Sequence, residues 1–168
     1  MTGEQATFLA EQLVNLMKGE LPATNKVLAA VKDDGRDYRP DPKSRTAWEL
    51  ATHIATADVW FLDSIINGAF TWDPEAAKAA EAQFGSVDDV VAFYKKTLPT
   101  KLDQVKAMPA ADLTRTVDFF GVMQAPAVSF IGFASNHSIH HRGQLAAYLR
   151  ALGSKVPDIY GPSADSGS

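Results

Sequence analysis

Hydrophobic residues recur at helical spacing from the start of the chain. The N-terminal segment carries them at Phe8, Leu9, Leu13, Leu16, Met17, Val27, Leu28 and Val31. A repeat of three to four residues places such side chains along one face of an α-helix. Thr2 and Gln5 have the spacing of a capping box, which predicts a helix from there to about Val31. Pro22 lies inside this stretch and lacks an amide hydrogen, so we expect a kink or two helical pieces.

A second helix is predicted between a capping box at Thr46 and Glu49 and a terminating glycine, Gly68. At 100° per residue, one stripe of this helix should face the core, and it consists of Leu50, Ile54, Phe61 and Ile65. The opposite stripe should face water, and it consists of Glu49, Thr52, Thr56, Asp63 and Asn67. The segment therefore reads as an amphipathic helix at the edge of a core.

Further helices are predicted in the rest of the chain. Asp73 suits the N-cap of a short alanine-rich helix, and Ser86 suits the N-cap of a third long helix that ends near Ala107 and contains Pro99. Residues 109–124 read as a connector in which 114–119 can pair briefly as a strand. Pro126 fits the first turn of a fourth long helix, closed by Gly153.

Four long amphipathic segments with little strand signal predict an all-α fold, an antiparallel four-helix bundle. The length of 168 residues and the composition, 46% hydrophobic and 21% charged, are typical of one globular domain. We predict that residues 1–162 form this single helical domain and that residues 163–168 are a flexible C-terminal tail.

Composition narrows the classes of function. The chain has no cysteine, which excludes disulfides, thiolate metal sites and a cysteine nucleophile. A net charge of -4 gives no positive field for nucleic acid, so we expect no nucleic-acid partner. No apolar run approaches the roughly 18 residues that span a bilayer, and residues 1–10 lack the pattern of a signal peptide. We expect a soluble cytoplasmic protein with no membrane partner.

Three of the four histidines fall within five residues of the fourth predicted helix. His137 and His141 are four positions apart and therefore stand on the same helix face. That face continues through largely apolar side chains, namely Phe130, Ala134, Leu145, Tyr148 and Leu152. Two adjacent inward imidazoles are unfavourable unless they are satisfied, and a divalent metal ion would satisfy both. His140 projects about 100° away from His141 and is not expected to be a ligand.

His53, beside the core face of the second helix and one turn before the small Ala57, supplies a third candidate ligand. Three protein ligands with an open position are common in catalytic metal sites. The pattern therefore predicts a three-histidine site of His53, His137 and His141. Other interpretations stay open: His53 can be a structural or half-exposed histidine, and an i, i+4 pair can also lie on an exposed helix face.

Supporting residues are less well defined by the pattern. Asp58 lies in the inward arc of the second helix, where it can orient a ligand histidine or accept a hydrogen bond from Arg142. The alternative is a salt bridge unrelated to chemistry. Four aromatic residues belong either to the core or to a substrate pocket, and these are Trp60, Phe70, Trp72 and Tyr148.

Two segments resemble a known family. They are PDPKSRTAWELATHIA at residues 40–55 and HSIHHRGQL at 137–145, and the ending VPDIYGP at 156–162 is also similar. The chain resembles the DinB-like (DinB/YfiT) family, which is associated with metalloenzymes. The resemblance implies a four-helix bundle with a long crossover connection, a homodimer, and a divalent ion held by His53, His137 and His141. Family members include transferases and isomerases that use low-molecular-weight thiols.

The leading hypothesis is a metal-dependent enzyme that acts on a small molecule, with zinc, nickel or iron as the ion. Metal-bound water would give a hydrolase, and a metal-bound thiol would give an S-transferase or isomerase. Because the chain has no cysteine, the thiol would come from a co-substrate. The competing hypothesis is a non-catalytic metal-binding or stress-response interaction protein.

Overall fold

The computed structural model describes residues 1–167, and within them the fold is mostly helical. The α-helices are α1 (Gly3–Ala29), α2 (Ala47–Asn67), α3 (Pro74–Ala82), α4 (Val87–Lys106), α5 (Ala110–Thr114) and α6 (Ser129–Leu149). A 3-10 turn spans Asp33–Gly35. Two short strands, β1 (Thr116–Phe119) and β2 (Met123–Pro126), form an antiparallel pair. The prediction of a helical protein is confirmed, and so is brief strand pairing within 114–119, where β1 pairs with β2.

The predicted caps start the helices. Thr2, Thr46 and Ser86 each accept a hydrogen bond from the backbone N–H three residues later. The side chains at those later positions accept a hydrogen bond from the backbone N–H of the cap residue, which completes three capping boxes. Asp73 caps α3, with Pro74 as its first residue. Gly68 ends α2 in the left-handed conformation, with φ of 70°.

The core lies between the four long helices. Both α1 and α2 pack against α4 and α6, while α3 packs against α2. The predicted core face of α2 is buried. Apolar residues of α1, α4 and α6 are buried too, among them Val14, Met17, Leu28, Tyr94, Leu98, Leu102, Phe130 and Leu145. α3 differs from the long helices, because all nine of its residues are described and none is buried. This arrangement leaves α3 as an outer layer on α2.

Some local expectations were wrong. α1 runs through Pro22 as one helix, so the alternative of two helical pieces is wrong. The last long helix begins at Ser129 and not near Pro126, because Pro126 pairs with Thr116 at the end of the sheet. Thr52 was expected to face water but is buried, and its hydroxyl donates to the Trp48 carbonyl within the helix.

The apolar spacing also indicated the wrong buried residues in part of the first helix. Phe8 and Leu16, which belong to its apolar pattern, are exposed, whereas the smaller Ala6 and Ala10 are buried. The buried face of α1 is therefore lined by small residues near its start. Close helix approach explains the preference, because a large side chain there would separate α1 from its neighbours.

The segment after α6 folds back on itself. Ser163 donates from its hydroxyl to the Val156 carbonyl, and the Val156 N–H donates to the Asp165 carboxylate. Ser168 lies outside the described residues, and the predicted domain boundary at residue 162 stays a prediction. Among residues 1–167, no helix has both the length and the apolar character needed to cross a membrane.

Candidate metal centre

The three predicted ligand histidines meet between α2 and α6. Each of His53, His137 and His141 offers a ring nitrogen, and these nitrogens all lie within 4.8 Å of one another. The ring centroid of His53 is 5.2 Å from that of His137 and 4.7 Å from that of His141. The two α6 rings are 4.4 Å apart because they are one helical turn from each other. All three side chains are half-buried.

The environment keeps these imidazoles neutral. Burial, followed by the charge of Arg45, lowers the pKa of His53 to about 3. Burial and the neighbouring histidines lower the pKa of His137 to about 4, and burial also lowers the pKa of His141. Neutral imidazole is the form that binds metal ions, so the group is prepared for ligation at neutral pH.

Hydrogen bonding leaves ligand atoms available. His141 Nδ1 lies 2.8 Å from Gln144 Oε1, which can only accept a hydrogen bond, so Nδ1 carries the proton and Nε2 keeps its lone pair. His53 Nδ1 lies 3.8 Å from the Glu81 carboxylate. His137 Nδ1 is buried and has no hydrogen-bond partner within residues 1–167. A buried, unpaired imidazole nitrogen is unfavourable, and three converging neutral imidazoles offer one lone pair each to a cation. The residues therefore fit a divalent metal ion.

Pockets adjoin the histidine group on two sides. One, of about 240 Å³, has His53 in its wall and lies between α2 and α3. The other, of about 200 Å³, is lined by Arg45, His141, Gln144 and Tyr148 among others. A small molecule in either pocket would lie next to a candidate ligand histidine.

Asp58 is fully buried but takes part in a different network from the one predicted. Its Oδ2 accepts hydrogen bonds from Tyr94 Oη and Ser138 Oγ, both at 2.8 Å. Burial raises the pKa of Asp58 to about 7, although both hydroxyl donors act to lower it. In the described part of the chain it forms no hydrogen bond with a histidine or with Arg142, so the two predicted roles are wrong. Asp58 instead joins α2 to α4 and α6.

Arg142 faces another helix. Its guanidinium donates to Glu20 Oε2 at 2.7 Å and to Tyr160 Oη at 2.6 Å, and its side chain is almost fully buried. Arg142 follows His141 by one position, so its side chain turns about 100° around α6. That rotation points it at α1 and the C-terminal segment.

The remaining candidates divide between surface, core and pocket. His140 is exposed and lies outside the three-histidine group. Trp60 and Trp72 line the larger pocket, whereas Phe70 is buried against Phe130. Sequence reasoning missed Glu81, which touches both His53 and the larger pocket. No local signal marks it, because it reaches the site only through the packing of α3 on α2.

Comparison with known proteins places the chain in a family. The DinB family model matches residues 4–167. The chain belongs to the DinB family. YrdA, an uncharacterized protein of Bacillus subtilis, is 40% identical over 151 residues, which cover 87% of this chain and 84% of YrdA. YjoA of Bacillus subtilis is 23% identical over 146 residues, which cover 86% of this chain and 91% of YjoA.

Solved structures show the same DinB fold. A DinB-like protein of Bacillus cereus has a TM-score of 0.72 and 26% identity, with 89% of this chain and 97% of that chain covered. The crystal structure of YjoA has a TM-score of 0.68 and 24% identity, with 90% of this chain and 99% of that chain covered. A mycothiol-dependent maleylpyruvate isomerase has a TM-score of 0.53 and 13% identity, with 89% of this chain and 65% of that chain covered. At identities this low, the last two likenesses concern the fold alone.

Proposed function

We propose that this DinB-family protein is a metal-dependent enzyme that acts on a small molecule. The observation that carries the proposal is the convergence of His53, His137 and His141, with neutral rings from two helices, beside two pockets. When bound there by three neutral ligands, a divalent ion would lower the pKa of a coordinated water or thiol. Zinc, nickel and iron(II) all suit imidazole ligands.

The residues around the histidines would hold the site in shape. Gln144 fixes the proton of His141 on Nδ1, which directs Nε2 away from Gln144. The Glu81 carboxylate, 3.8 Å from His53 Nδ1, is placed to accept a hydrogen bond from that nitrogen after a small side-chain movement. Arg45, 3.8 Å from the same carboxylate, balances its charge.

Two reaction classes fit the site. One is hydrolysis, and the other is S-transfer or isomerisation with a low-molecular-weight thiol as co-substrate. The thiol must come from outside because the chain has no cysteine. The fold shared with a mycothiol-dependent isomerase supports including thiols among the candidates. For the fold, we interpret the packing of the four long helices as the antiparallel four-helix bundle with a long crossover connection. For the oligomeric state, we propose a homodimer.

Metal analysis tests the site directly. Tag-free protein should contain close to one equivalent of a divalent metal, and His137→Ala and His141→Ala should each lower the content at least tenfold. His140→Ala is the matched control, since it removes an exposed neighbouring histidine outside the group and should leave the content unchanged. Equal retention of metal in all three variants would refute the proposed site.

Turnover separates enzyme from binding protein. Metal-loaded protein should be assayed with esters, amides and lactones, and with electrophiles plus low-molecular-weight thiols. Activity in either panel that His53→Ala abolishes supports the proposal. A fully loaded protein that is inert in both panels would favour a non-catalytic metal-binding or stress-response interaction protein.

A further inference from the structure

The larger pocket has a predominantly apolar wall. It encloses about 240 Å³ between α2 and α3. Small side chains from both helices form one part of the wall, namely Ala57, Ala76, Ala77 and Ala80. Trp60 and Trp72 form another part, and His53 connects this space to the candidate metal centre. Ligand sites are commonly concave spaces of this kind, mostly apolar with a few polar groups.

The two tryptophans form an aromatic corner of the pocket. Their ring centroids are 5.7 Å apart and their planes are nearly perpendicular, at 89°. Trp60 is held in place because its indole N–H donates to the Thr71 carbonyl at 3.0 Å. Trp72 is 56% exposed although it lies against this pocket. An indole face left this open offers a stacking or edge-to-face surface for a flat ring.

The charges around the pocket disfavour an anion. Its ionisable lining residues are His53, Asp73 and Glu81, and within the described residues no lysine or arginine lines it. Asp73 is engaged as a helix cap, since its Oδ1 accepts from the Glu75 and Ala76 N–H groups. The Glu81 carboxylate faces Arg45, which is 3.8 Å away and outside the lining. Away from the candidate metal ion at His53, a neutral guest therefore meets less electrostatic opposition than a carboxylate would.

We propose that this pocket binds the organic substrate through a neutral, flat apolar group such as a six-membered aromatic ring, with the reacting part of the substrate towards His53. The part of this inference that concerns the reaction rests on the proposed function. The binding of the ring in the pocket does not. The pocket has its own walls, and only His53 belongs to both the pocket and the metal group. Its test can therefore use a simple ring compound in place of the unidentified substrate.

Benzamide, a neutral ring compound, is a suitable probe for a titration of the metal-loaded protein followed by NMR. The indole N–H signals of Trp60 and Trp72 should shift, while that of Trp48, which does not line the pocket, should stay fixed. We expect a dissociation constant on the order of 1 mM, as is reasonable for a compound with so few heavy atoms.

Matched variants locate the binding. Ala77→Leu fills the pocket and should weaken benzamide binding at least tenfold, whereas Ala79→Leu, the same change on the same helix outside the pocket lining, should alter it less than twofold. Trp72→Ala removes an exposed wall residue, so it disturbs the core little, and it should weaken binding at least fivefold. Equal effects of Ala77→Leu and Ala79→Leu, or shifts of the Trp48 signal alone, would overturn the inference.

One further variant separates this inference from the proposed function. His137→Ala removes a candidate metal ligand but no wall of the pocket, so benzamide should bind it within twofold of the wild type. In that background benzoate should bind at least fivefold more weakly than benzamide. Loss of metal with retained benzamide binding supports both proposals. Metal retained by His137→Ala refutes the proposed metal site alone. Failure of benzamide to bind any of these proteins refutes the proposed ring-binding pocket alone.

Discussion

Asp58 should make the stability of this protein fall as pH rises. The carboxyl group is fully buried, and burial raises its pKa from 3.8 to about 7. The native state therefore holds the proton more tightly than the unfolded state does. The stability that Asp58 contributes is fully present below pH 3.8, where both states are protonated, and the free energy of unfolding then decreases as pH rises to about 7.

The size of the effect follows from the two pKa values. With 3.8 for the unfolded chain and about 7 for the native state, the loss between pH 5 and pH 8 is about 2.5 kcal/mol. Asp58→Asn removes the titration while keeping an oxygen that can accept from Tyr94 and Ser138. The difference in unfolding free energy between wild type and Asp58→Asn should therefore change by about that amount, in favour of the variant as pH rises.

Urea unfolding at fixed metal content measures this difference at pH 5, 6, 7 and 8. Asp63→Asn is the matched control on the same helix, because its carboxylate forms a partly exposed ion pair with Lys101. The control should shift the difference by less than about 0.5 kcal/mol over the same range. If the free energies of unfolding of wild type and Asp58→Asn differ by the same amount at all four pH values, within that margin, the reasoning about burial is refuted.

Two further predictions concern a helix end and a ligand histidine. Gly68→Ala should lower the free energy of unfolding by about 1–2 kcal/mol in urea titrations, because Gly68 has φ of 70° and an added Cβ would meet the Arg115 guanidinium. Gly19→Ala, inside α1 with open space around it, should instead raise that free energy by about 0.5–1 kcal/mol. Gln144→Ala should weaken metal affinity about 10- to 100-fold in competition titrations with a chelator, because His141 loses its Nδ1 partner, and unchanged affinity would contradict that role.

The features that were predictable from sequence are local ones. A capping box needs only residues three positions apart, so the starts of α1, α2 and α4 could be read from Thr2, Thr46 and Ser86. The pairing of His137 with His141 follows equally from helical spacing. The position of His53 next to that pair required only that two amphipathic helices turn their apolar faces towards each other.

The features that were missed depend on contacts distant in sequence. Arg142 was predicted as a donor to Asp58, but its partner Glu20 comes from a helix more than a hundred residues earlier. Glu81 reaches His53 only because α3 packs on α2. Pro126 has a favourable residue type for a helix start, yet strand pairing with Thr116 decides its conformation. Tertiary contacts of this kind override local preference.

The shallow attachment of α3 has a consequence for the range of molecules that can enter beside His53. None of the nine described residues in Pro74–Ala82 is buried, so moving this helix outward transfers little apolar area to water. The long helices resist the same displacement because their inner faces are buried in the core. The volume of about 240 Å³ therefore sets the size of a guest that enters without deformation, and a bulkier guest would require α3 to move outward.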